Sequence, residues 1–136
     1  MFYENIEICQ ETKEKVWGKE FWIVNNQDYC GKILVINKQH RCSIHYHKIK
    51  KETFLVVSGE ILLEVLDPAM MDSDEQKFIF VPGMSITINP YVKHRFTGMA
   101  EVSEIIEFST RHYEQDSYRI TKSEKISDDE WEIIKK

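Results

Sequence analysis

Residues 42–66 read CSIHYHKIKKETFLVVSGEILLEVL. Three short apolar runs stand here: CSIHYH (42–47), ETFLVVS (52–58) and EILLEVL (60–66). They are rich in β-branched and aromatic residues, and turn residues such as Gly59 separate them, which is the pattern of short strands. Outward from this stretch the same reading gives EFWIVNN (20–26), KILVIN (32–37), KFIFV (77–81), SITIN (85–89), KHRFT (93–97) and VSEIIEF (102–108). Tyr29–Gly31, Asp67-Pro68, Pro82-Gly83, Asn89-Pro90 and Gly98 separate them. Nine short strands with no helical pattern between them predict an all-β antiparallel sandwich or barrel.

Residues 67–76 read as a polar loop and residues 1–16 as an arm or extra edge strand. Ser127-Asp128-Asp129-Glu130 is a capping-box pattern opening a helix to about residue 135, with Trp131 and Ile134 on one face. The organisation expected is an arm at 1–16, a barrel at 17–122 and a helical tail at 123–136.

The chain has 136 residues, 42% hydrophobic and 30% charged, with a net charge of −5. That is an ordinary mix for one globular domain. An acidic chain with dispersed Lys and Arg is a poor match to a nucleic-acid backbone. No apolar run is long enough to span a bilayer, and MFYENIEICQETKEK carries acids where a signal peptide would be basic and then apolar. A cytoplasmic location is expected. Cys9, Cys30 and Cys42 are odd in number and far apart, against a disulfide framework or a cysteine zinc site.

The chemistry gathers at the histidines. His45 and His47 flank Tyr46 in a strand-like run, so both imidazoles project to one side and Tyr46 to the other. Lys48–Lys51 has the length of a hairpin loop, which would set His47 opposite Glu52. Two imidazoles and a carboxylate on one face suit one divalent transition metal (Mn, Fe, Ni, Co or Zn) with positions left open. His94, after the Asn89-Pro90 turn, is placed to be a fourth ligand. His40 and His112 have no comparable partners and read as surface residues.

These residues resemble a known family. His45-x-His47-x4-Glu52-x6-Gly59 resembles the first cupin motif, and Gly83-x5-Asn89-Pro90-Tyr91-x2-His94 the second. The glycine that usually opens the first motif is Gln39 here; the usual proline and glycine of the second are Asn89 and Tyr91. Those positions shape turns and are not among the expected ligands. The resemblance implies a small jelly-roll barrel with His45, His47, Glu52 and His94 as metal ligands. A narrower resemblance is to the cupin domain of type II mannose-6-phosphate isomerases. Trp17-Gly18-Lys19-Glu20, Lys50-Lys51-Glu52, Ile106-Glu107-Phe108 and Tyr113-Glu114-x-Asp116-x2-Arg119 carry it. That family usually has glutamine where this chain has His45.

The narrower resemblance implies sugar or sugar-phosphate isomerisation or epimerisation. An enediolate intermediate then needs charge stabilisation and a base. Glu107 shares a strand face with Ser103 and Ile105 and is the expected base; Glu64, between Leu62 and Leu66, is a second candidate. Arg119 or Lys50 would hold a sugar oxygen or a phosphate. Two other classes fit the same ligands: an iron- or nickel-dependent cupin dioxygenase or other oxidoreductase, and a non-catalytic carbohydrate-binding or sensor module. The expected partner is a small sugar, with no nucleic acid and no membrane. Exposed strand edges predict pairing in a homodimer.

Overall fold

The computed structural model describes residues 11–66 and 75–136. The elements run β1 Glu11–Lys15, β2 Gly18–Asn25, β3 Cys30–Asn37, β4 His40–Arg41, β5 His45–Tyr46, β6 Glu52–Ser58 and β7 Ile61–Leu66. They continue as β8 Gln76–Phe80, β9 Ser85–Ile88, β10 Lys93–Gly98, β11 Val102–Ser109, β12 Tyr118–Arg119, β13 Glu124–Lys125 and α1 Asp128–Ile134. Most of the loop expected at 67–76, and residues 1–10 of the expected arm, lie outside the described residues.

One sheet has the order β1-β2-β3-β11-β6-β9, and every pair in it is antiparallel. The second is built on β10, which pairs with β7 along its whole length and with the two-residue strands β4 and β5 on its other side. β8 extends it beyond β7, while β12 and β13 cover β5 and β4. The two sheets face each other across a core that includes Leu34, Ile36, Phe54, Val56, Leu63, Phe96 and Ile105.

Alternation along the strands decides what faces inward. On β3 the buried side chains are Cys30, Lys32, Leu34 and Ile36; on β11 they include Ser103, Ile105 and Glu107; on β6 they are Glu52, Phe54 and Val56. The register aligns these positions. Leu34 lies opposite Ile105, Lys32 opposite Glu107, and Glu52 opposite Ser109. The barrel interior is therefore graded, apolar at one end and lined by Lys32, Glu107 and Glu52 at the other. Each fully buried aliphatic or aromatic side chain at the apolar end contributes roughly 1.5–3 kcal/mol. That end holds the strands which present the charged one.

Several local expectations are corrected. The β2–β3 turn is Asn26–Tyr29, where the Asn26 carboxamide accepts from the N–H groups of Asp28 and Tyr29; Gly31 lies within β3. Residues 42–47 do not form one strand, and 48–51 is not a hairpin loop. β5 pairs with β10 and β12, whereas β6 pairs with β11 and β9. The 48–51 segment thus crosses from one sheet to the other.

Gly59 does need to be glycine. Its φ is +84°, and a Cβ there would lie 2.3 Å from Ser103 Oγ. Gln39 and Tyr91, which replace two usual glycines, keep the backbone conformation of glycine, with φ of 66° and 72°. Left-handed backbone costs a non-glycine residue about 1–2 kcal/mol. At Gln39 the cost is offset by side-chain hydrogen bonds to the Ile126 carbonyl and the Asp128 carboxylate.

The tail, residues 117–136, straps across the second sheet. Ser127 caps α1 by accepting from the Glu130 N–H, and Ile126 and Trp131 are buried. Arg41 joins Glu124 and Glu130 beneath it.

Candidate metal centre and pocket

His45 and His47 stand at and just beyond β5, Glu52 opens β6 and His94 sits on β10. One ligand-type atom from each lies within 4.8 Å of the others. His94 is opposite His45 across the β5–β10 pair. The convergence foreseen from spacing is present, but the sheet crossing at 48–51 brings it about rather than a hairpin.

The donors are prepared in the same way. His45 Nδ1 bonds the Ser43 carbonyl (2.8 Å), His47 Nδ1 the Asp116 carbonyl (2.6 Å) and His94 Nδ1 the Val92 carbonyl (2.9 Å). A carbonyl only accepts, so each Nδ1 carries the proton and each Nε2 lone pair is left for the centre. Glu52 Oε1 and His94 Nε2 are 2.9 Å apart, yet neither makes a hydrogen bond, and both are buried. Buried polar atoms left without a hydrogen bond are exceptional. A cation accepting both as ligands would account for them, so the donor set fits a divalent metal.

Burial, and then the neighbouring His94, push His45 down to about 3, and burial also lowers His47. Both are thus neutral and ligand-ready at neutral pH. Burial alone would raise the Glu52 carboxyl, but the Lys50 ammonium, 3.2 Å from Oε2, holds it well below the usual carboxylate range.

The cluster opens into a cavity of about 580 Å³, within the range of roughly 300–1,000 Å³ typical of small-molecule sites. Glu107 lines it, facing inward as its strand alternation foretold. Lys50 is buried, not exposed in a hairpin tip, and its ammonium bridges Glu107 Oε2 (3.0 Å) and Glu52 Oε2 (3.2 Å). Burial works against that ammonium, but Glu107 and Glu52 outweigh it and raise its pKa. Ser109 Oγ donates a further hydrogen bond to Glu107. Arg119 lines the pocket at an exposed position on β12.

Glu64 is elsewhere. It is buried on the face of β7 away from the pocket and makes a two-pronged ion pair with Arg95. It is not placed to act as the base in this pocket.

Two residues went unforeseen. His112, read as a surface residue, lines the pocket; its Nδ1 lies 3.2 Å from Lys50 Nζ and 3.4 Å from Lys32 Nζ. Burial and the two ammonium charges push it down to about 3, so it accepts as a neutral ring. Lys32 is only 2% exposed and sits 3.8 Å from the centroid of the Trp22 ring. Among the described residues no carboxylate lies within ion-pair distance of its ammonium, and burial lowers its pKa. The signal was present: in KILVIN a lysine shares the inward parity of Leu34 and Ile36.

No family model matches the chain. A D-lyxose ketol-isomerase of Thermofilum sp. is 29% identical over 142 aligned positions, covering 81% of this chain and 79% of that protein. Among solved structures, the capsular polysaccharide assembling protein CapF of Staphylococcus aureus matches with a TM-score of 0.72 at 15% identity; the match covers 82% of this chain and 34% of CapF. KdgF of Halomonas sp. gives a TM-score of 0.66 at 12% identity, covering 78% of this chain and 90% of KdgF. An oxalate decarboxylase of Bacillus subtilis gives 0.71 at 12%, covering 81% and 30%. The chain thus spans about a third of CapF and of the decarboxylase. The fold is the cupin barrel, with a cluster of three histidines and one glutamate of metal-ligand type inside it.

Proposed function

We propose that this chain is a metal-dependent aldose–ketose isomerase acting on a small sugar or sugar phosphate. One observation carries the reading: Glu107 faces the same cavity as the histidine–glutamate cluster, bridged to Glu52 by the Lys50 ammonium. The 29% identical relative, by its name an isomerase of D-lyxose, supports the reaction type and does not single out mannose 6-phosphate as substrate.

Ketol isomerisation moves one hydrogen from C2 to C1 and one from O2 to O1. Glu107 is suited to take the C2 proton as a carboxylate and return it to C1 as an acid. Lys50, held in its charged form, is a fixed cation that orients Glu107 and faces developing negative charge. Lys32 and His112, beside Glu107 and Lys50, offer further polar contacts to sugar hydroxyls. A divalent ion held by His45, His47, Glu52 and His94 would supply Lewis-acid polarisation of the carbonyl and neighbouring hydroxyl oxygens. Arg119, at the mouth, is suited to a terminal hydroxyl or phosphate.

The test supplies the metal-replete protein with D-lyxose, D-mannose and mannose 6-phosphate in deuterated water. Ketose formation with deuterium entering at the carbon that gains the proton is expected. Glu107→Gln should lower turnover about 10²–10⁴-fold with metal retained. Oxygen uptake with a small organic substrate, and no exchange at C2 of any sugar, would replace this reading with the dioxygenase one.

A further inference from the structure

Asp116 closes a short 3-10 turn, Glu114–Asp116, and is 4% exposed. Its carboxylate is spent on backbone. Oδ1 accepts from the N–H groups of Lys48 (2.8 Å) and Ile49 (3.2 Å), and Oδ2 from those of Ile49 (3.1 Å) and Lys50 (3.0 Å). Three consecutive amides thus converge on one carboxylate, a concave anion nest filled by a side chain. The Asp116 main-chain carbonyl accepts from His47 Nδ1, and its own N–H bonds the Tyr113 carbonyl at 3.0 Å. One residue therefore grips the sheet crossing with its side chain and a cluster histidine with its backbone. Arg119, three positions on in the sequence, plays no part in that grip.

We propose that Asp116 is a positioning residue, which fixes the proton of His47 on Nδ1 and sets the 48–50 segment so that Lys50 reaches Glu52 and Glu107. The proposal rests on the metal reading of the cluster. Its chemical basis is specific. Asparagine has the same shape, but one of its oxygens becomes an NH₂ donor, set against amides that also donate. The crossing would relax, and the Asp116 carbonyl with it.

The test is titration of metal-free protein with Co²⁺, reading the dissociation constant and the visible d–d bands. Asp116→Asn should weaken Co²⁺ binding 10–100-fold, the usual weight of an outer hydrogen-bond partner of a ligand histidine, and alter the bands. Glu64→Gln, which disturbs the Glu64–Arg95 pair on the face of β7 away from the pocket, serves as a control for lost stability. It should lower the melting temperature while leaving Co²⁺ affinity and spectrum unchanged. Asp116→Glu, which keeps both oxygens on a longer stem, should fall between Asp116→Asn and the wild type. Wild-type Co²⁺ affinity and spectrum in Asp116→Asn would overturn the proposal, as would failure of both Asp116 variants to fold, which would make the residue a folding element. Absence of Co²⁺ binding by the unaltered protein would instead overturn the metal reading itself.

Discussion

His94 lies on β10, whose six residues pair in register with β7 from Lys93 to Gly98, whereas His45 opens a strand of only two residues and His47 lies just beyond it. Their segment is held by borrowed contacts. Ser123 Oγ accepts from the Ser43 N–H, Thr121 Oγ1 from the Ile44 N–H, Asp116 from the loop beyond, and the Ile120 N–H bonds the Ile44 carbonyl. All three rings present Nε2 to one centre, so equal geometry is reached by a ladder on one side and by a strap on the other. A regular ladder depends on many equivalent bonds. The strap side depends on a few side chains from a segment distant in sequence, and it is the side that substitution can loosen without unfolding the barrel.

The largest effects should ignore that difference. His94→Ala and His47→Ala each delete a donor, and metal analysis after dialysis should find neither protein retaining a full equivalent. In both, added metal should no longer raise the melting temperature. A variant that kept stoichiometric metal would remove its histidine from the ligand set.

Undocking the strap should separate the two sides. Trp131 is buried, and Trp131→Ala should cost about 3–5 kcal/mol. Hydrogen exchange should then accelerate first at the amides of Ser43, Ile44 and Lys48, while the amides that join β7 to β10 stay slow. Simultaneous exchange would show that the strap and the ladder open as one unit.

Acid offers a graded version. His45 and His112 are pushed to about 3 in the folded protein from an ordinary 6.5, and His47 is lowered with them. Unfolding lets each take up a proton below about 6.5, so the unfolded chain binds more protons in that window. Stability of the metal-free protein should be full above about pH 6.5 and fall as pH drops toward 3. Each histidine contributes at most about 1.4 kcal/mol per pH unit. Glu52, held low when folded, adds loss in the same direction at the acid end of the window. Melting temperatures from pH 8 to 4 check this. His112→Asn should flatten the slope, and a flat profile in the unaltered protein would contradict the burial argument.

The smallest site effect is expected at Glu64→Gln. It disturbs the Glu64–Arg95 pair outside the pocket and should lower the melting temperature while leaving metal content and turnover unchanged.

Strand identity was legible because period-2 alternation and turn residues are local properties. Leu34 and Ile36 announce their inward face, and so do Ser103, Ile105 and Glu107. Strand partners were not legible. His47 and Glu52 are close in sequence, and a hairpin was the simplest way to join them, yet they meet by crossing between sheets. What decides this is the bond from Asp116 to residues 48–50, a long-range contact that leaves no periodic trace. His112 and Lys32 escaped for related reasons. A lone histidine in a loop carries no parity, and a lysine in an apolar strand invites a reading as an exposed charge. Gln39 and Tyr91 show the converse: the residue type departs from the usual pattern, while the backbone shape is kept.

The β3–β11 ladder also bears on how the molecule is made. Lys32 leaves the ribosome roughly 75 residues ahead of its cross-strand neighbour Glu107, and further still ahead of the anchor Asp116, in a chain built at about 5–20 residues per second. Until β11 arrives, β3 has only β2 beside it, and the β1–β2–β3 meander keeps an open edge and an uncovered apolar face. The strands carrying His45, Glu52 and His94 are all complete before the floor of their own pocket exists. Nascent chains stopped before residue 102 should therefore remain protease-sensitive, and folding of the full-length chain should fall in the slow range typical of non-local β topologies.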